Sequence, residues 1–365
     1  MARIAEQTIE HIRSNIDIID LIGQYVQLKQ RGHNYFGICP FHLEKTPSFA
    51  VNPNKQIYKC FGCGAGGGTI NFVMAVEKLE FIESIKFLAE KYNIEIDLNT
   101  NKSNKLYSQL FEMHSIAADF YHDNLKTNKG EKIIEYLNSR GIKNDVIKEF
   151  KIGFSLDQWS SLLDKARSGG YSSEAMVQSG LFINGKKGYY DRFRNRIMFP
   201  ISDRNDKIIA FGGRVFDSDD PAKYINSSET PIYNKSGIFY GLSKTKSFLS
   251  KENTAIVVEG YLDLIQLFQN DIKNVVAVSG TSFTDIHAME LNKYVKNVKI
   301  AYDGDNAGKN AAIRAGYVLL KNGFNPEIIP IPDGKDPDDW IQKEGPEPLK
   351  KVIKNSIDLF QFQFN

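Results

Sequence analysis

All three cysteines of this chain lie between positions 39 and 63, and their spacing is that of metal ligands. Cys39-Pro-Phe-His42 and Cys60-Phe-Gly-Cys63 are two pairs with two residues between the members, separated by 17 residues. A two-residue spacing lets one tight turn aim two side chains at a single ion, and two such turns complete a tetrahedron. The first hundred residues are thereby constrained to a small module folded around four ligands. Zinc accepts mixed thiolate and imidazole donors, and four protein ligands leave no open position, so one structural zinc is expected on Cys39, His42, Cys60 and Cys63. The competing reading is free buried cysteines beside an incidental histidine; paired spacing that consumes every cysteine favours the metal. His33 reads as a solvated loop histidine. Among the ligands, Lys45, Lys55 and Lys59 interleave with Phe41, Phe49, Tyr58 and Phe61. Basic groups neutralise phosphates and rings stack on unpaired bases, although each ring serves equally well as core around the ion.

An odd cysteine count in a chain of 365 residues argues against a disulfide framework and for a reducing, cytoplasmic setting. The N-terminus carries acidic residues and no apolar segment of signal-peptide type, and no run of about 18 apolar residues exists, so no membrane association is expected. The length suits two or three domains, and 42% hydrophobic residues allow sizeable cores. A formal net charge of +2 says little about partners.

Helical periodicity is read around Ile4–Ile12 and Ile16–Leu28, a β-rich module over residues 35–62, and amphipathic helices at Ile70–Leu79 and Ile82–Tyr92. The polar segment Asn99–Lys105 reads as a linker and domain boundary. Helices near Leu110–Leu125 and Gly130–Arg140 precede Ile142–Phe150, and residues 181–246 mix short strands with glycines and basic residues. Beyond Asn253 short Val/Ile runs alternate with helices. Strands are expected at Ala255–Glu259, Val275–Val278, Val298–Tyr302 and Glu327–Ile331, with helices at Leu262–Asn270, Asp285–Tyr294 and Ala307–Lys321. Such alternation indicates a parallel sheet covered on both faces, whose ligands bind beyond the carboxyl ends of its strands.

Carboxylates stand at those ends. Glu259 closes the first run and is followed by a Gly turn and Asp263. Asp303-Gly-Asp305 closes the third. Side chains two apart on a strand share a face, so Asp303 and Asp305 are expected to aim at one ion while Gly304 admits phosphate closely. Lys335-Asp336-Pro-Asp338-Asp339 follows the fourth. Magnesium takes a few carboxylates, water and substrate phosphates, and two such ions can promote phosphoryl transfer. N-capping and solvated turns are the plain alternative for Asp263, Asp338 and Asp339.

Between Lys186 and Lys246 twelve basic residues face seven acidic ones. Arg192, Arg194 and Arg196 alternate and are expected to point one way from a strand. Arg214 follows a flexible glycine pair, and Lys223 and Lys235 sit among Tyr, Asn and Gly. The density favours a nucleotide- or template-facing surface over a merely solvated one.

These stretches coincide with one family. CPFHLEKTPSF and KCFGCGAGG resemble the zinc-binding domain of bacterial replicative primases of the DnaG type. RFRNRIMFPI, IIAFGGR, KYINSSETPIYNKS and FYGL resemble the basic subdomain of their RNA polymerase core, and VVEGYLD, DGDNAG and KDPDD resemble the TOPRIM fold. The resemblance runs in family order over nearly the whole chain. It implies a zinc-ribbon domain over residues 1–100, a mixed α+β basic subdomain over 106–250 and a TOPRIM parallel α/β sheet over 251–345. Residues 346–365 would begin a truncated helical extension. It implies synthesis of short RNA primers on single-stranded DNA from ribonucleoside triphosphates, yielding an RNA–DNA duplex at the replication fork. Carried onto this chain, Glu259, Asp303 and Asp305 would be the central ligands of catalytic Mg²⁺ or Mn²⁺, with Asp263, Asp336 and Asp338 in support. Arg194, Arg196, Arg214, Lys223 and Lys235 would contact nucleotide or template, and Arg140 the template more weakly. The family's helicase-binding C-terminal domain is expected to be absent here, so a replicative helicase is a partner of the full-length family only. The rivals are another TOPRIM enzyme, such as a type IA topoisomerase or nuclease, and a non-catalytic zinc-finger DNA-binding protein. A topoisomerase places its TOPRIM module first and needs a large domain bearing a tyrosine nucleophile. The acidic triad would repel DNA unless metal were present.

Overall fold

The computed structural model of the chain describes residues 9, 12, 16–32, 34–92, 94, 100–217 and 220–364. Two compact units result, one ending at Lys105 and one beginning at Leu106. His33 and most of the helix read at Ile4–Ile12 lie outside the described residues. Among the described residues no helix is long and apolar enough to cross a membrane.

The first unit is an antiparallel sheet flanked by short helices. Helix α1 (Ile18–Gly23) is capped by the Asp17 carboxylate, which accepts from the amides of Ile19 and Asp20. Strands β1 (Lys29–Arg31), β2 (Asn34–Gly37), β3 (Phe49–Asn52), β4 (Ile57–Cys60) and β5 (Gly66–Gly67) pair in chain order. Helices α2 (Thr69–Val76) and α3 (Phe81–Lys91) follow. The helix read through Leu28 stops at Gly23, because β1 pairs with β2 instead. Phe49, Tyr58 and Phe72 are buried and pack ring against ring with half-buried Phe41. Each fully buried ring contributes on the order of 1.5–3 kcal/mol, so these aromatics build the module's core. Phe61 departs from them, 75% exposed.

Helix α4 (Thr100–Asp123) runs from the end of the first unit into the second, which continues with α5 (Asn128–Ser139) and α6 (Asn144–Glu149). The polar segment read as a linker is helical from Thr100 onward. Strand β6 (Gly153–Ser155), α7 (Ser161–Ser168), α8 (Ser173–Gln178) and the hairpin β7 (Phe182–Gly185) and β8 (Gly188–Asp191) lead to β9 (Arg196–Ser202), β10 (Ile208–Val215) and β11 (Tyr224–Asn226). These form an antiparallel sheet ordered β11-β10-β9-β6.

Helix α9 (Leu242–Glu252) leads into the alternating region: β12 (Thr254–Val258), α10 (Tyr261–Gln269), β13 (Val275–Ala277), α11 (Asp285–Leu291), β14 (Asn297–Ala301), α12 (Asn306–Lys321), β15 (Pro326–Ile328), α13 (Pro337–Glu344) and α14 (Pro346–Lys354). Strands β13, β12, β14 and β15 pair in parallel in that order, as the Val/Ile runs require. Each strand stops short of its expected carboxyl-terminal end, so the acidic residues lie in loops beyond the sheet. Alternation splits the strands between two cores: Ile256 and Val258 face one, Ala255 and Val257 the other. The first core is shared with Ile197, Phe199 and Ile201 of the antiparallel sheet. The last residues continue this unit. Strand β16 (Ile357–Asp358) pairs antiparallel with β15, and Leu359 of α15 (Leu359–Phe364) is buried beneath it.

Candidate metal centres and nucleic-acid interface

Strand β2 delivers Cys39 and His42 to the loop after it, and β4 ends on Cys60. The sulfurs of Cys39 and Cys63 lie 3.9 Å apart, and Cys60 Sγ lies 3.8 Å from His42 Nδ1. One ligand atom from each of the four falls within 4.8 Å of every other. The turns are shaped for this: the Phe41 amide donates to Cys39 Sγ and the Cys63 amide to Cys60 Sγ, each at 3.4 Å. Gly64, with φ +82°, returns its amide to the Cys60 carbonyl. Sulfurs that accept backbone N–H bonds favour the charged thiolate, the form a metal needs. His42 turns Nδ1 toward the sulfurs while Nε2 lies 3.3 Å from Glu44. Glu44 itself accepts from the Cys39 and Ser48 amides, so it fixes both the ring and the first knuckle. Sequence reasoning passed over Glu44, although a carboxylate two residues beyond a ligand histidine was its signal. The donor set fits a closed, tetrahedral zinc site.

At the carboxyl edge of the parallel sheet, Glu259 follows β12 and accepts from the Asp303 amide at 3.2 Å. Burial, with Glu259 and Asp336 as the nearest like charges, pushes the Asp303 carboxyl up to about 7. Burial likewise raises Glu259, Asp336 and, most strongly, Asp263, which also feels Asp336, Asp303 and Asp338. So many raised carboxylates in one place are the mark of a site suited to a counter-charge.

The members play different parts. Asp305 and Asp336 are helix caps as well: Asp305 accepts from the Gly308 amide at the start of α12, and Asp336 from the Asp339 amide at the start of α13. Two positive helix ends therefore point into the acidic loops. Asp303 and Asp305 do not share a strand face, because β14 ends at Ala301. Asp303 is half-buried and Asp305 exposed. Gly304 has a structural reason to be glycine: a Cβ there would run into the Pro332 carbonyl, and its amide donates to the Lys335 carbonyl. Oxygens of Asp336, Asp338 and Asp339 fall within 4.8 Å of one another, whereas Glu259, Asp303 and Asp305 are not drawn together so tightly.

Asp263 is not a solvated cap. It is buried in α10, accepting from the Gly260 amide and, at 3.2 Å, from the Asp338 amide. Asp338, 2% exposed, is held by Arg140 Nη2 at 2.6 Å and by Gln342 Nε2 at 2.6 Å. Arg140, read as a template contact, is thus the internal counter-ion of a buried carboxylate. Arg140→Ala should destabilise the fold by about 3–5 kcal/mol, since it strands Asp338 as a buried charge. Chemical denaturation of that variant, alone and combined with Asp338→Asn, is the check. The second change should recover much of the loss; no recovery would mean that Arg140 acts through packing.

The arginine trio does not form a strand face. Strand β8 ends at Asp191 and β9 begins at Arg196, and Asn195 between them has φ +49°. Arg196 is 3% exposed and donates to the carbonyls of Gly213 and Ala222 and to the Asp220 carboxylate. Arg192 donates twice to the Asn226 carbonyl. Arg194 is stacked 4.2 Å over the ring of Trp159, which is 65% exposed, and 5.3 Å from Tyr190. Trp159 escaped the sequence reading because a single tryptophan carries no spacing. Arg214 lies over Tyr136 and Tyr224, at 5.1 and 6.0 Å. Lys223 is exposed and lowers the proton affinity of Asp303, so its charge reaches the acidic loops. Lys235 is half-buried in a short 3₁₀ turn over Lys235–Gly237.

Three family models match in sequence order: a CHC2 zinc finger over residues 4–104, the N-terminal domain of the DNA primase catalytic core over 120–246, and a Toprim-like module over 256–341. The chain is 43% identical to a DNA primase of Clostridium acetobutylicum, with 99% of this chain and 61% of that protein aligned. It is 40% identical to one of Staphylococcus epidermidis, over 98% and 62%. The chain therefore spans about three-fifths of the length of these relatives. The crystal structure of the Aquifex aeolicus primase zinc-binding and RNA polymerase domains is similar at 38% identity and a TM-score of 0.64, covering 97% of this chain and 86% of that one. A DnaG primase catalytic domain bound to single-stranded DNA is similar at 36% identity and a TM-score of 0.65, over 71% of this chain and 82% of that one.

Proposed function

From the premise that this chain belongs to the DnaG-type DNA primase family, we propose that it synthesises short RNA primers on single-stranded DNA from ribonucleoside triphosphates. The observation that carries this reading is the acidic edge of the parallel sheet. Four carboxylates there have raised proton affinities, and two helix N-termini point into the same loops. Glu259, Asp303 and Asp305 would hold a divalent metal, with Asp336 completing the set. Mg²⁺ is the natural choice for a carboxylate and phosphate site, with Mn²⁺ as its substitute. When bound, the metal neutralises triphosphate charge and favours attack by a ribose hydroxyl.

The chain's own residues do the rest. Asp263 and Asp338 act from behind: Asp338 is spoken for by Arg140 and Gln342, and Asp263 ties the start of α10 to the start of α13. Both therefore position Asp336 and Glu259 rather than meet substrate. Lys223 and Arg214 supply cations beside the carboxylates, Arg194 with Trp159 a stacking platform, and Lys235 a further phosphate contact. Arg196, buried among backbone carbonyls, belongs to the scaffold. In the zinc unit, exposed Phe61 and Leu43 sit on the two knuckles beside exposed Lys45 and Lys59, a surface fit for unpaired bases flanked by phosphates. On this reading the protein would act in the cytoplasm at the replication fork, where a replicative helicase would be the partner of the longer relatives.

The test is direct. Incubated with single-stranded DNA, ribonucleotides and Mg²⁺ or Mn²⁺, the protein should yield RNA of short, discrete length. Relaxation of supercoiled DNA without RNA product would favour a topoisomerase instead.

A further inference from the structure

A second charged concavity lies at the opposite, amino edge of the parallel sheet. It has a volume of about 790 Å³, and its lining includes Thr254 at the start of β12 and Asn274 just before β13. Strand β12 is five residues long, so the cavity and Glu259 are separated by about 16 Å of strand. Six lysines line it: Lys251, Lys273, Lys299, Lys350, Lys351 and Lys354. Three carboxylates accompany them, leaving an excess of three positive charges.

Half of the lysines are engaged. Lys299 donates to the Ile353 carbonyl and pairs with Glu327, Lys350 pairs with Glu347, and Lys273 lies over the rings of Phe248 and Phe268. Lys251, Lys351 and Lys354 are exposed and have no partner among the described residues. Helices α9 and α14 both end at this rim, and helix C-termini attract cations. That accounts for Lys251 and Lys354, one at each end. Lys351 also lies in the last turn of α14, but the convergence of all three on one concavity is not accounted for in this way.

We propose that this cavity binds a compact polyphosphate, either inorganic or as the phosphate chain of a nucleotide. The volume falls within the range of small-molecule sites, about 300–1,000 Å³. The lining cations are all lysines, which meet phosphate as point charges, and none is an arginine that could fork onto a phosphate or stack on a base. The aromatic ring of the lining, Phe248, is half-buried and carries the Lys273 ammonium 5.5 Å from its centroid. Recognition therefore rests on phosphate charge alone. The site is remote from Glu259 and the acidic loops and needs no metal.

The probes are sodium tripolyphosphate and ATP, titrated calorimetrically into the whole chain with EDTA present. The expected result is saturable binding of both, weakened steeply by salt and unchanged in Asp303→Asn. The triple variant Lys251→Gln, Lys351→Gln, Lys354→Gln should lose at least tenfold in affinity. A control triple at exposed lysines elsewhere, Lys129→Gln, Lys132→Gln, Lys187→Gln, should lose less than twofold. Binding of ATP without tripolyphosphate would overturn phosphate-only recognition. Absence of saturable binding, equal loss in both triples, or loss in Asp303→Asn would overturn the site. All six lysine positions are exposed, so the variants should fold, and an unchanged melting temperature verifies it.

Discussion

Asp303→Asn is expected to abolish primer synthesis while leaving the metal-free protein at least as stable as the parent. The two effects have one origin. Asp303 is held among Glu259, Asp336 and Asp305 in a partly buried setting, and its carboxyl is pushed up to about 7. For an acid whose folded-state proton affinity exceeds the unfolded one, stability is present at low pH and lost as pH rises through the folded value. Between about pH 4 and pH 7 the metal-free fold therefore loses stability as Asp303 ionises, and the amide removes that loss. The same amide removes the anionic oxygen that a divalent ion requires. Even an outer partner of a metal ligand is worth 10–100-fold, so a ligand lost outright should lower activity by well over about 100-fold. Three measurements check this: primer yield, the melting temperature in EDTA at pH 8, and the rise in melting temperature on adding Mg²⁺. The parent should gain stability from Mg²⁺ and the variant little. A variant that keeps full primer synthesis would remove Asp303 from the metal site.

Cys60→Ala is the second large effect, and it falls on the other unit. Cys60 is fully buried, ends β4, receives the Cys63 amide on its sulfur and has the Ser48 hydroxyl 3.3 Å from that sulfur. Structural zinc supplies an apparent 10–16 kcal/mol at neutral pH, comparable to or above the whole stability of a small unit. Cys60→Ala, or prolonged chelation, should therefore melt residues 16–94 cooperatively, with loss of β-sheet signal and of stoichiometric zinc. The unfolding transition of residues 106–364 should stay where it is. Because the thiols must release protons to bind, zinc and this unit's stability should be lost together as pH falls toward 5. Retention of one equivalent of zinc by Cys60→Ala would show that the cluster is not the site.

Much of the candidate chemistry was open to reading along the chain, because it is carried by local spacing. A two-residue gap between ligands is a turn, and a turn is decided by neighbours in sequence; hence Cys39, His42, Cys60 and Cys63 converge within 4.8 Å. Val/Ile runs separated by helical periods must form a parallel sheet, and the acidic residues then fall at its carboxyl edge. Resemblance to a family extended this to activity and partners, which composition could not reach.

What spacing could not supply is anything decided by contact between distant segments or by where a strand stops. Asp303 and Asp305 lost their common face because β14 ends before them and Asp305 caps α12. Gly304 must be glycine because the Pro332 backbone, 28 positions away, packs against it. Arg140 is bound to Asp338 across 198 positions, and Arg196 disappears into the scaffold, because desolvation obliges a buried charge to find whatever partner the fold brings near. The sequence by itself determined which ligands and which carboxylates exist and the kind of element that carries them, since those are local properties of the chain. Only the tertiary structure decided which charges face solvent, metal or one another, since burial and pairing depend on residues that meet only after folding.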